Sequence, residues 1–150
     1  MSRISTVLCI LLVSAPLLAA DSDAIRETLL AHARGVEAGD LSAIAKVWAN
    51  DDSVVVFENG RANNGWADYR DHHLGRELAA FKNTHYALTD ITPHMSGDTA
   101  WATFKYALTA DTATRHIDGS GVGTAGLERR RGQWRIVHWH SSSSSSRSRD

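Results

Sequence analysis

His138 and His140 flank a single residue, Trp139, near the end of a 150-residue chain. In an extended strand that spacing puts both imidazoles on one face. A ring whose ordinary pKa is near 6.5 gives and takes protons at neutral pH, so either histidine could act as a general base. A second pair, His73 and Glu77, stands four residues apart, the helical spacing that brings two side chains together. Trp66, Tyr69 and His73 share that helix face. Glu58 closes a short apolar run and offers a carboxylate for base chemistry, with the phenols of Tyr69 and Tyr106 as donors. Together Glu58, His73, Glu77, His138 and His140 could ligate zinc or another divalent ion if helix and strand meet. Imidazoles in a polar pocket can equally hydrogen-bond one another, the carboxylates or water. No three-ligand motif of known strength is present, so no metal or cofactor is expected. His32, His72 and His116 read as solvated.

The elements that must position these groups follow from periodicity. Ile25, Leu29, Ala33 and Val36 repeat at helical spacing behind Asp23, and Gly39 ends the segment. Asp40 caps a second short helix that runs to Trp48. Val54 to Phe57 is a β-branched run closed by Asn59-Gly60, which predicts a strand. The helical period returns from Trp66 to about Ala80, interrupted at Gly75. Four strands follow, His85 to Met95, Thr99 to Thr109, His116 to Arg130 and Gln133 to Ser141. Turns at Gly97-Asp98, Asp111-Thr112 and Arg131-Gly132 separate them. Helices followed by long antiparallel strands argue an α+β fold with the helices on one face of a curved sheet.

The hairpin at Arg131-Gly132 fixes a register. It sets Arg129 opposite Trp134, Leu127 opposite Ile136, Ala125 opposite His138 and Gly123 opposite His140. Large rings facing Gly and Ala leave unfilled volume, so both histidines are expected to line a cavity. Gly119, Gly121 and Gly123 on that face let the strand bend or another group approach. The Gly97-Asp98 turn sets Ile91 opposite Phe104 and Thr89 opposite Tyr106, with Asp90 meeting Lys105 on the solvated side. Trp101, Val137 and Trp139 are expected on that outer side, an apolar set that favours a symmetric homodimer through the sheet.

Hydrophobic residues make up 43% of the chain and the formal net charge is −1, which bounds it to one ordinary domain with no bulk pull toward nucleic acid. Residues 1–20 carry Arg3, an apolar run from Ile4 to Leu18 and Ala19-Ala20 before Asp21. That pattern predicts a secretory signal peptide, too short to span a bilayer and cleaved after Ala20, and hence a periplasmic or secreted protein. The single cysteine, Cys9, lies inside it, so the mature chain has no thiol. Residues 141–150 are Ser-rich and read as a disordered tail. Gly121-Val-Gly123-Thr-Ala-Gly126 matches a dinucleotide fingerprint by letter, but its flanks are strands on both sides, so it is rejected.

The run from Leu127 to Ser141, preceded by His94-Met-Ser-Gly97-Asp98-Thr-Ala-Trp101, resembles the closing strands of the nuclear transport factor 2-like superfamily. More narrowly it is similar to SnoaL-like and ketosteroid-isomerase-like secreted bacterial proteins. The association domain of calcium/calmodulin-dependent protein kinase is a more distant likeness. Glu37-Ala-Gly-Asp40 and Trp48-Ala-Asn-Asp51-Asp52 fit the superfamily's opening. The resemblance covers residues 21–140 and implies a cone-shaped α+β barrel with a pocket between sheet and helices, commonly dimeric through the sheet. It hosts isomerases, dehydratases, cyclases and plain binding modules, so it implies fold more than activity. The steroid isomerases' set of a base and two oxyanion donors has no match fixed by motif, and the kinase domain's pocket arginines are missing from Gly123-Thr-Ala-Gly-Leu127.

The sequence thus predicts an exported domain that takes a small, partly apolar molecule. His138, His140 and Glu58 are the catalytic candidates, and Trp66, Tyr69, His73 and Tyr106 the ligand-binding ones. The reaction class is isomerase, dehydratase or cyclase. The alternatives are a ligand-binding or stress-related module without turnover, and a metal-binding variant that uses the pocket histidines.

Overall fold

The computed structural model describes residues 15–144, with side chains from residue 19 onward. The first part of the expected leader, with Cys9, and the end of the Ser/Arg tail lie outside the described residues. Helix α1 (Ala15–Ala38) opens the fold, so the expected Ala20/Asp21 boundary falls within a helix. Its buried stripe is Ile25, Leu29, His32, Ala33 and Val36. His32 is only 2% exposed, which corrects its reading as solvated. Asp40 caps α2 (Leu41–Ala45) by accepting the Ala43 N–H at 2.9 Å. Among the described residues no helix is long and apolar enough to cross a membrane.

Strands β1 (Val55–Glu58) and β2 (Arg61–Asn64) form a hairpin across Asn59-Gly60. β2 carries no β-branched residue and left no strand signal in the sequence. The helical stretch that follows is α3 (Trp66–Tyr69), a single π turn (Arg70–Leu74) and α4 (Gly75–Ala80). Four long strands complete the chain, β3 (Lys82–Ser96), β4 (Thr99–Asp111), β5 (His116–Arg130) and β6 (Gln133–Ser143). They join one curved, open sheet in the order β2-β1-β6-β5-β4-β3. Every pairing is antiparallel except β1 with β6. The N-terminal helices pack on one face, α1 against β3 and β6, which is the expected α+β cone.

The inner face buries Val56, Phe104, Ala125, Leu127, Ile136 and Trp139 against Ile25, Leu29 and Trp48. The Trp48 ring is stacked on Trp66 at 5.5 Å and tilted on Tyr69 at 5.0 Å. Each large ring removes a wide apolar area from water, and this aromatic layer ties the short helices to the sheet.

The Arg131-Gly132 hairpin holds its expected register only as far as Leu127 opposite Ile136. A bulge then leaves Val137 without a partner, and Gly126 faces His138, Ala125 faces Trp139 and Thr124 faces His140. One extra residue turns every later side chain to the other face. Trp139 is therefore fully buried in the core, while His138 and His140 lie on the sheet face away from the helices. The cavity-facing placement of these two histidines, and the outward placement of Trp139, are corrected accordingly. A second bulge at Asp90, whose φ is +54°, sets Leu88 rather than Thr89 opposite Tyr106. Asp90 still meets Lys105, at 2.8 Å. The outer face keeps Trp101 exposed, joined by Phe57 and Val122. β6 runs on through Ser143, and Ser141, expected to begin a tail, is buried in the strand.

Candidate active site

Glu58 is the last residue of β1, and its neighbour in the parallel pairing is Ser141 of β6. Strand alternation turns both side chains inward, where the Ser141 hydroxyl donates to Glu58 Oε1 at 3.1 Å. The Tyr69 hydroxyl approaches Oε2 at 3.5 Å, the outer limit of a hydrogen bond. The Glu58 side chain keeps 16% exposure, all that joins it to the cavity in front of it. Burial pushes its carboxyl above the ordinary 4.5, although the charge of His73 pulls the other way.

His73 comes from the π turn. That turn re-aims the helix by one residue, and Gly75 permits it, because a Cβ there would stand 2.7 Å from the Arg70 carbonyl oxygen. His73 Nδ1 lies 2.8 Å from Asn63 Oδ1 on β2. The Asn63 amide cannot turn around, since its Nδ2 donates to Asp68 Oδ2 at 3.0 Å. The oxygen therefore faces the ring, and His73 Nδ1 must carry the hydrogen. Nε2 is left facing two carboxylates, Glu77 Oε1 at 3.3 Å and Glu58 Oε2 at 3.7 Å. The hydrogen bond to Glu77 raises the imidazole above 6.5 against the pull of burial. The result is a chain, Asp68 to Asn63 to His73 to Glu58, in which each member fixes the next.

In front of Glu58 lies a cavity of about 180 Å³ between α1, α4 and the inner face of the sheet. Tyr69, Tyr86, Tyr106 and His32 contribute to its wall, with Leu108 and Ile117 as apolar lining. Gly121 leaves room for one wall, since a Cβ there would come within 2.8 Å of the Tyr106 hydroxyl. Tyr69 and Tyr86 are held as neutral phenols, their pKa values raised by burial. A cavity this size suits about one six-membered ring, as an apolar void of roughly 150 Å³ holds benzene.

The expected site residues separate into two groups. Glu58, Tyr69, His73 and Tyr106 are brought together, Glu58, Tyr69 and Tyr106 on the cavity wall and His73 directly behind it. Trp66 is buried under Trp48 rather than in the wall. His138 and His140 flank Phe57 on the outer face, with His138 Nδ1 3.0 Å from the Val55 carbonyl oxygen. The five possible metal ligands thus lie on both sides of the sheet, Glu58, His73 and Glu77 on the inner side and His138 and His140 on the outer, and do not converge on one point. His32, Asn63 and Ser141 are the site residues that sequence reasoning missed. His32 had a signal, because it falls on the apolar stripe between Leu29 and Val36.

Residues 25–145 match the SnoaL-like domain, and the chain belongs to that family. Solved structures agree on the fold. A nuclear transport factor 2-like superfamily protein from Salmonella enterica serovar Typhimurium superposes with a TM-score of 0.80 at 17% identity, over 87% of this chain and 95% of that one. A candidate dehydratase of the NTF2-like family from Streptomyces avermitilis gives 0.77 at 17% identity, over 86% and 99%. A candidate ketosteroid isomerase from Shewanella frigidimarina gives 0.67 at 20% identity, over 79% and 94%. No curated protein is similar enough to the chain to count as a match.

Proposed function

We propose that this domain is an enzyme that moves a proton at a carbon next to a carbonyl group in a small, partly apolar molecule of about one ring. The reaction is of the isomerase or dehydratase kind, and Glu58 is the base. The observation that carries this reading is the largely buried Glu58 carboxylate beside His73, aimed into a cavity whose wall includes three tyrosines, His32, Glu77 and aliphatic side chains. A base works best when its pKa lies near the working pH, and burial moves Glu58 in that direction. The names of two neighbours, a candidate dehydratase and a candidate ketosteroid isomerase, fit the same chemistry.

In the isomerisation, Glu58 takes a proton from the carbon between a carbonyl and an alkene. The electron pair moves to the carbonyl oxygen as an enolate, and Glu58 returns the same proton to the far alkene carbon. Nothing is gained or lost overall. Tyr106 supplies an O–H for the oxygen. His73 is a positioning residue, because its ring stands behind Glu58 and steadies the carboxylate. In a dehydratase the same first step is followed by cleavage of the bond to a β-hydroxyl group, which takes the proton held by Glu58 and leaves as water.

Export after cleavage at Ala20 and pairing of two copies through the outer sheet face belong to the same proposal. Exposed Phe57, Trp101 and Val122 on that face support the pairing.

Incubation with cyclohexanone in D2O tests the reading. The protein is expected to speed deuterium uptake next to the carbonyl over buffer, and Glu58→Gln to abolish the gain. Saturable binding of cyclohexanone with no exchange would leave a ligand-binding module instead.

A further inference from the structure

His32 sits in the middle of α1 with its ring enclosed by Trp48, Tyr86 and Trp139, at centroid distances of 5.6, 6.4 and 4.8 Å. The Trp48 indole N–H lies 3.2 Å from His32 Nδ1. An indole nitrogen can only donate, so Nδ1 must accept, and it carries no hydrogen. The hydrogen of the neutral ring is therefore on Nε2. That nitrogen has no hydrogen-bond partner among the described residues, and His32 lines the cavity in front of Glu58.

We propose that His32 Nε2–H is a fixed hydrogen-bond donor of the cavity, set by Trp48 to receive the oxygen of a neutral carbonyl ligand. This rests on the reading of the cavity as a substrate site. A donor held in place before the ligand arrives needs no reorganisation as negative charge grows on that oxygen. It would also select against carboxylate ligands only weakly, because the ring itself is uncharged, and for carbonyl ligands over hydrocarbons of the same shape strongly. The ionisable groups that share the cavity are Glu58, Tyr69, Glu77, Tyr86 and Tyr106. No cation stands among them, and the Trp48 N–H is aimed at Nδ1, where an imidazolium would need an acceptor instead. Burial accordingly holds the ring's pKa down to about 3, so the donor is neutral around neutral pH.

The test is nitrogen-detected NMR of 15N-histidine-labelled protein, titrated with cyclohexanone. His32 is expected to show hydrogen on Nε2 alone, unchanged from about pH 5 to pH 8, and its Nε2 and Hε2 signals should move saturably as the ketone is added. Trp48→Phe should free Nδ1 and mix the two tautomers. His32→Gln keeps a donor and should hold cyclohexanone within about twofold of wild type, whereas His32→Leu should weaken it by roughly five- to tenfold. Hydrogen on Nδ1, an ordinary titration across that range, or an unmoved Nε2 signal in ketone-saturated protein would overturn the proposal. The wild-type spectra decide this even if the Leu variant does not fold. Loss of deuterium exchange in Glu58→Gln together with an unmoved Nε2 signal would overturn the His32 assignment alone. A moved signal together with exchange that survives Glu58→Gln would overturn only the role of Glu58.

Discussion

His73 Nε2 stands 3.7 Å from Glu58 Oε2, and the hydrogen on the opposite side of that ring is fixed by Asn63. Replacing Glu58 by Gln keeps the shape and removes the charge. The Glu58 carboxyl has a raised pKa in the folded state, so the fold favours its protonated form, and stability is lost as pH rises above the unfolded value of 4.5. Glu58→Gln should then melt higher than wild type near neutral pH, with the difference closing at about pH 4. Thermal melts across that range check it, and a lower melting temperature at neutral pH would mean that the pair with His73 dominates instead.

His32 carries the opposite sign. Its folded pKa is depressed from 6.5 to about 3, so the unfolded chain binds a proton in that window that the folded chain refuses. The stability it contributes is complete above pH 6.5 and is lost as pH falls, at about 1.4 kcal/mol per unit and roughly 5 kcal/mol over the whole window. Denaturant titrations between neutral and acid pH should show one proton's worth of slope that His32→Gln removes.

Among the described residues, Phe57, Trp101 and Val122 are the large apolar side chains left most open to water, and all three lie on the face away from the helices. His94 stacks on Trp101 at 4.0 Å and extends that patch onto β3. Light scattering at micromolar concentration should give a dimer, and a charge at its centre, Val122→Glu, should give a monomer with an unchanged circular dichroism spectrum. A wild-type monomer would contradict the pairing.

Asp21 is held by Arg129 at 2.6 Å, and Arg129 also spans to Asp98 and lies over the Trp134 ring. Cleavage after Ala20 would leave this contact intact and make Asp21 the new helix start, where a carboxylate is favoured. Mass spectrometry of protein recovered outside the cytoplasm should find Asp21 at or near the first position; a retained leader would count against export by this route.

The fold was legible where pattern is strong. The apolar stripe of α1, the caps at Asp40 and the four long strands with their turns all follow from periodicity, and both hairpins hold their register near the turn. What escaped were the register shifts, at Val137, at Asp90 and between Lys82 and His85, because alternation does not say which residue goes unmatched. The consequence of the first was large, since it moved His138 and His140 to the outer face. A cue was present in Trp139, whose indole gains far more from burial than either imidazole does. Glu58, Tyr69 and Tyr106 fall on the cavity wall where strand and helix spacing had put them near one another, and His73 stands behind it on a π turn that the sequence did not announce. Asn63 was missed, because its strand has no propensity signal and its role depends on Asp68 turning the amide.

The most direct test of Glu58 as the base is the rate of conversion of 3-cyclohexen-1-one to its conjugated isomer, a one-ring ketone that isomerises by moving one proton. Wild-type protein should accelerate this over buffer, and Glu58→Gln should lower kcat/KM by roughly a hundredfold to ten-thousandfold, the range that a positioned base contributes. A Glu58→Gln protein that matches wild type, or a wild type no faster than buffer, would contradict the assignment.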